Sequence, residues 1–277
     1  MPLPELHASD GHSISLSKKS NTKNTSKSIP LFNFPISGDR LIRLLFRITG
    51  VLIVIHLINL ALGGPSWQIE RLFCLGEEAN VPTWFSSALW AFTAFASYCC
   101  SILVESKKAR TLWICITLGF LAFSIDEVAM IHENLFEVMS RFFPDGVRSH
   151  ILVHFKATNW PVIAAPFLIL TVTWLILTFK RLLSGSKTAQ KLLILGFAVT
   201  IFGGWGLELT TNFLNHDNLQ WVWEIESVFE ESLEMIGAII ILSGLLRHLN
   251  WLSVQVDQCT DQPESRTSAK REIQCQA

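Results

Sequence analysis

Thr111-Leu112-Trp113-Ile114-Cys115-Ile116-Thr117-Leu118-Gly119-Phe120-Leu121-Ala122-Phe123-Ser124-Ile125-Asp126-Glu127-Val128-Ala129-Met130-Ile131 is the stretch that decides the fold. It carries no charge until Asp126, then sets two carboxylates side by side. A helix needs about 20 apolar residues to cross the hydrocarbon core of a bilayer, and this run meets that length. A charged side chain inside such a span costs about 2.5–3.5 kcal/mol on insertion scales unless it faces a polar interior or a partner. One stretch therefore indicates both a membrane helix and a site near its end.

Working outward, hydropathy predicts spans at roughly 44–63, 84–104, 111–131, 159–179, 192–211 and 224–246. Half of the 277 residues are hydrophobic and 16% are charged, which is too apolar for an ordinary soluble domain. Short loops leave no room for a separate soluble unit. The expected fold is all-α: an integral membrane bundle of six transmembrane helices over 41–250, flanked by polar tails at 1–40 and 251–277. The first tail, with Ser13, Ser15, Lys18, Lys19, Asn21 and Lys23, cannot bury a core and reads as disordered. The apolar region begins too late for a cleavable signal peptide. Membrane lipids are the expected surroundings, and neither the composition nor any motif points to nucleic acid.

The six cysteines form no Cys-x-x-Cys pair, which removes zinc-ribbon and thioredoxin chemistry. Cys99, Cys100 and Cys115 fall within spans, where a thiol behaves as a small hydrophobe.

Lys and Arg in short loops mark the cytoplasmic side. Arg40, Arg43 and Arg47 precede the first span, Lys107, Lys108 and Arg110 fill the second loop, and Lys180, Arg181, Lys187 and Lys191 the fourth. Arg247 follows the last. The first loop is acidic on balance, with Glu70, Glu77 and Glu78 against Arg71, and the fifth has only His216 and Asp217. The third loop blurs the alternation with Arg141, Arg148 and Lys156. Both termini are therefore expected in the cytoplasm. Trp67, Trp84, Trp160, Trp221 and Trp223 then fall at outer ends and Trp251 at an inner end, as an interfacial aromatic belt requires.

This threading sends nearly all the intramembrane acids to the outer half. Asp126 lies roughly 8 Å inside the outer boundary at 1.5 Å per residue. On a helix, Asp126, Met130, Glu133 and Glu137 form one stripe, with Glu127 and His132 flanking it. A helix end merging into a solvated loop explains His132, Glu133 and Glu137, but not Asp126 and Glu127. In the sixth span Glu226, Glu230 and Glu234 recur at four-residue spacing, with Glu231 three residues before Glu234 and no Lys or Arg from Trp221 to Leu246. Carboxylates stacked in this way repel when all are ionised, so protons, water or a cation must hold them together. Glu224 and Glu226 can sit in solvent; the other three are deeper.

His150 and His154 stand at i, i+4 spacing before the fourth span, a geometry that shares a metal when helical and also arises readily by chance. Glu208 ends the fifth span on the same side, as a ligand or as a simple interface residue. The outer loop from Trp67 to Ser86 reads as a lid or, more plainly, as a helix start set by Pro82. Gly203-Gly204-Trp205-Gly206, and Ser86, Ser87, Ala91 and Ala94 in the second span, suit close helix packing rather than phosphate binding.

Ile125-Asp126-Glu127 with His132-Glu133, Asn80-Val81-Pro82-Thr83-Trp84-Phe85-Ser86, and Glu230-Glu231-Ser232-Leu233-Glu234-Met235-Ile236-Gly237 resemble uncharacterised bacterial multispan membrane proteins. The resemblance runs from the first outer loop to the sixth span, implies the bacterial cytoplasmic membrane, and brings no activity. Ceramidase-like membrane hydrolases also combine Asp and His around zinc. This chain has too few spans for them, its His pair is not in the last span, and its histidines are outnumbered by carboxylates.

Carboxylates and imidazoles on facing helices are the ligands of bundle-core metal sites. The sequence thus leads to a metal-dependent enzyme acting on a lipid or lipid-linked substrate at the outer leaflet. Asp126, Glu127 and Glu231 are its candidate catalytic residues. The candidate ligands of a divalent metal are Asp126, Glu127, His132, Glu133, His150, His154, Glu208, Glu230, Glu231 and Glu234. A proton- or cation-coupled transporter and a non-catalytic scaffold are the alternatives. A transporter should continue polar residues to the cytoplasmic face, whereas inner halves such as Ala238-Ile239-Ile240-Ile241-Leu242 read as apolar.

Overall fold

A computed structural model describes residues 38–63, 67–131, 134, 160–211 and 220–260. Gly38–Ala61 forms α1, Trp67–Phe73 the short α2, Val81–Leu103 α3 and Lys107–Ala129 α4. Trp160–Leu182 forms α5, and Lys187–Ile201 forms α6. A π-helical turn at Phe202–Leu207 carries α6 into the one-turn α7, Glu208–Thr211. Gln220–Thr260 is one continuous helix, α8, and no strand occurs among the described residues.

Five stretches are long and apolar enough to cross a membrane, as an integral membrane protein requires: Gly38–Ala61, Val81–Leu103, Lys107–Ala129, Ala165–Leu182 and Lys187–Leu207. The expected sixth, 224–246, lies within α8 but is not one of the five. At 1.5 Å per residue α8 is about 60 Å long, twice the hydrocarbon thickness. It also runs on through 251–260, where composition predicts a polar tail.

α8 is the centre of the bundle, with α1, α3 and α6 packed on it and Met235, Ala238, Ile239, Ile241, Leu242 and Leu245 buried along its middle. Lipid supplies no hydrophobic drive between helices, so packing relies on close approach at small residues. The α6–α8 crossing shows the device. Ala189, Gly196 and Gly203 recur every seventh residue and run antiparallel to Gly244, Gly237 and Glu230. A Cβ on Gly196 would come within 2.8 Å of the Gly237 carbonyl, and one on Gly244 within 3.2 Å of the Ala189 carbonyl. Beside this seam, α3 and α4 are joined by hydrogen bonds. The Ser87 hydroxyl donates to the Ser124 carbonyl (2.7 Å), the Ser124 hydroxyl returns to the Ser87 carbonyl (2.9 Å), and Thr117 Oγ1 donates to Ser97 Oγ (3.1 Å).

Two helix ends shape the site. Asn80 caps α3, its Oδ1 accepting from the Thr83 N–H at 3.1 Å with Pro82 in the first turn, so the stretch before Trp84 is indeed a helix start. α4 stops at Ala129 because Met130 adopts a left-handed conformation (φ 49°), its N–H returning to the Asp126 carbonyl. α4 thus ends before Met130, and of the expected stripe Glu133 and Glu137 lie outside the described residues. Asp126 and Glu127 sit in the last turn of α4, at the end of the span as expected.

Candidate functional site

The end of α4, the beginning of α3, the first third of α8 and the loop between α2 and α3 gather at one end of the bundle. There the structure brings together Asp126, Glu127, Glu230, Glu231 and Glu234. Glu231 and Glu234 on α8 lie within electrostatic range of Glu127, Glu230 and Glu78, and Glu234 also of Asp126. Glu127 accepts a hydrogen bond from Trp90 Nε1 at 3.2 Å, and the buried Ser86 hydroxyl lies beside the same carboxylate. Trp90 and Ser86 both come from α3, one turn apart, and both are buried.

Glu234 owes its place to a glycine. A Cβ on Gly204, in the π-helical turn, would collide with Glu234 Oε1, and one on Gly203 would come within 2.8 Å of Leu233 Cβ and 3.2 Å of the Glu230 carbonyl. The Gly203-Gly204 pair is thus a packing device, and the second glycine makes room for a carboxylate.

Carboxylates are the main charged neighbours of Glu127, Glu231 and Glu234 among the described residues. At such proximity like charges repel, and shared protons, water, a basic side chain or a bound cation offsets the repulsion. Among the described residues no three His, Cys, Asp or Glu side chains are grouped as a ready-made metal ligand set. His132, Glu133, His150 and His154 lie outside the described residues, as does the Glu208 side chain, although Glu208 opens α7.

Below the carboxylates, aromatic rings stack across the bundle. Trp90 lies 5.0 Å from Phe123 and 5.9 Å from Phe120, Phe120 lies 5.9 Å from Phe197, and Phe197 lies 5.7 Å from Phe179 (ring centroids). Beyond this layer the interior is less apolar than the sequence suggests. Thr93, Ser97 and Ser101 are buried there, and His248 is stacked between Trp113 and Trp251 with 1% of its surface exposed.

Glu78, Ser86, Trp90 and His56 are absent from the sequence-derived site. Glu78 reads as an ordinary loop acid and Ser86 as a small packing residue, while His56 is a lone polar residue in an apolar span. The loop that carries Glu78 is tightly held. Asn80 Nδ2 donates to the Cys74 and Glu77 carbonyls, each at 2.6 Å, and the Leu75 N–H donates to His56 Nδ1 at 3.2 Å. Burial, and then the nearby Glu77 and Glu70, push the Cys74 thiol above its usual range, partly offset by backbone donors.

No curated protein and no solved structure matches the chain. Residues 45–249 match the family described as "Domain of unknown function (DUF8692)", which takes in every helix of the site. The match spans most of the sequence, so this chain belongs to that family of unknown function.

Proposed function

We propose that this is a membrane enzyme whose carboxylate site faces the exoplasmic side and acts on a lipid or lipid-linked substrate with a divalent cation. The proposal takes α8 as the sixth span and places both termini in the cytoplasm, in keeping with the alternation of loop charge. What carries it is one observation: carboxylates from α4, α8 and the α2–α3 loop converge above a layer of stacked aromatics. The aromatic layer favours chemistry confined to one side over passage through the bundle.

In this reading Asp126, Glu127, Glu231 and Glu234 hold the cation, with Glu230 beside them and His132 or His154 completing the shell. A cation there relieves the repulsion and activates water or polarises an oxygen of the substrate. Glu127, held by Trp90, and Glu231 are placed to move protons. A mixed carboxylate–imidazole set suits Fe, Mn or Zn, and carboxylates alone suit Mg, Ca or Mn.

Gently purified protein should carry near-stoichiometric divalent metal that is lost in Glu231→Gln and Asp126→Asn while the fold survives. Absence of metal, together with no rise in Tm on adding Mn2+, Zn2+ or Mg2+, would sink this reading. A proton- or cation-coupled transporter would then take its place. The buried Ser97–Thr117 pair and His248 beyond the aromatic layer are what favour that second reading.

A further inference from the structure

His56 stands outside the carboxylate cluster and is 4% exposed, deep in the last third of α1. Its Nδ1 accepts the Leu75 N–H, and an imidazole nitrogen accepts a hydrogen bond only while it carries no proton. The clamp therefore belongs to the neutral ring, with the proton on Nε2. Leu75 is 2% exposed, so the clamp point itself is packed, although Gly76, Glu77 and Ala79 beside it are exposed. Three residues on, Glu78 stands within electrostatic range of Glu127, Glu231 and Glu234. The segment between is short and otherwise fixed. Gly76 abuts Ser227 of α8, where a Cβ would come within 3.0 Å, Ala79 is held at φ 59°, and Asn80 ties the Cys74 and Glu77 carbonyls to the start of α3.

We propose that neutral His56 is a positioning residue: it clamps the loop at Leu75 and so holds Glu78 against the carboxylates of α4 and α8. The charged and polar groups facing the ring are Glu224 from α8, the Phe73 carbonyl at the end of α2, and the Leu75 N–H. Protonation at Nδ1 replaces the acceptor with a donor aimed at the Leu75 N–H. The Phe73 carbonyl already accepts from the ring and Glu224 lies within electrostatic range, and both favour the protonated imidazole. Acidification thereby releases the loop and withdraws Glu78 from the cluster, giving the site a pH-dependent side. The clamp is complete when the imidazole is neutral and is lost as pH falls through its titration range. This inference rests on the carboxylate cluster being the site, but the clamp is measurable without any ligand.

The test is amide hydrogen exchange on the full chain in detergent or nanodiscs, with rates corrected for intrinsic pH dependence. Between pH 7.5 and pH 5.5, exchange over residues 74–80 should accelerate several-fold, up to about tenfold, while the middle of α3 stays protected. His56→Asn places an oxygen acceptor near the Nδ1 position and does not titrate, so it should keep the protection and lose the pH step. His56→Ala should lose protection at every pH. A wild-type loop insensitive to pH, or a pH step that persists in His56→Asn, overturns the proposal. Mn2+ affinity of the same proteins separates the two ideas. If Mn2+ never binds yet the exchange pattern holds, the clamp stands and the metal reading falls.

Discussion

Glu127 and Glu234 show how single residues set the character of the site. Trp90 gives Glu127 a fixed donor, so the carboxylate keeps one orientation among repelling neighbours. Trp90→Phe preserves the ring stacking on Phe120 and Phe123 but removes the N–H. Its expected effect is weaker cation binding at nearly unchanged Tm, read by calorimetric titration with Mn2+ alongside thermal denaturation. At Gly204 the obstacle to a Cβ is the far end of the Glu234 side chain, which can rotate away. Gly204→Ala should therefore leave the protein folded and still displace Glu234, with metal content falling much as in Glu234→Gln. A Gly204→Ala protein with full metal content would show that Glu234 is not a ligand.

Between elements, two kinds of seam hold the bundle, and their magnitudes rank them. Hydrogen bonds between membrane helices average about 0.6 kcal/mol each, so Ser124→Ala, which removes one side of the exchange with Ser87, should cost roughly 1 kcal/mol or less. The glycine seam is less forgiving. A Cβ on Gly237 would meet the Thr200 N at 2.8 Å and the Gly196 carbonyl at 2.9 Å, both backbone atoms that move only if the helices separate. Overpacking of this kind costs about 1–3 kcal/mol, so Gly237→Ala should lower stability more than Ser124→Ala. Unfolding in mixed detergent micelles measures both. The ranking reverses only if α6 and α8 slide apart freely, which their close approach at Gly196 and Gly244 argues against.

For the whole molecule, everything functional depends on which side the acidic end faces. Loop charge assigns the α2–α3 loop to the outside and the α5–α6 turn, with Lys180, Arg181 and Lys187, to the cytoplasm. Single cysteines at Glu77 and Ser186 in a Cys-depleted background should divide accordingly. Glu77→Cys should label with an impermeant thiol reagent on intact cells, and Ser186→Cys only after the membrane is opened. The reverse pattern would move the carboxylate site to the cytoplasmic side and remove outer-leaflet substrates from consideration.

Membrane helices were legible in the sequence because burial in hydrocarbon depends on each segment's own length and polarity, independent of its neighbours. That is why α1, α3, α4, α5 and α6 appear where hydropathy places them. The acids of α4 and α8 stood out for the same reason: a carboxylate in an apolar run is conspicuous before any contact is known. Convergence is a property of pairs of segments, and no single stretch encodes it. Shared depth already predicts that the acids of the two spans meet; only the tertiary structure made α8 the centre of the bundle and recruited Glu78 and His56 from stretches that look ordinary alone. The deciding physics is steric. Small residues at every seventh position let α6 and α8 approach until their backbones touch, and that approach fixes where the acids of α8 must lie.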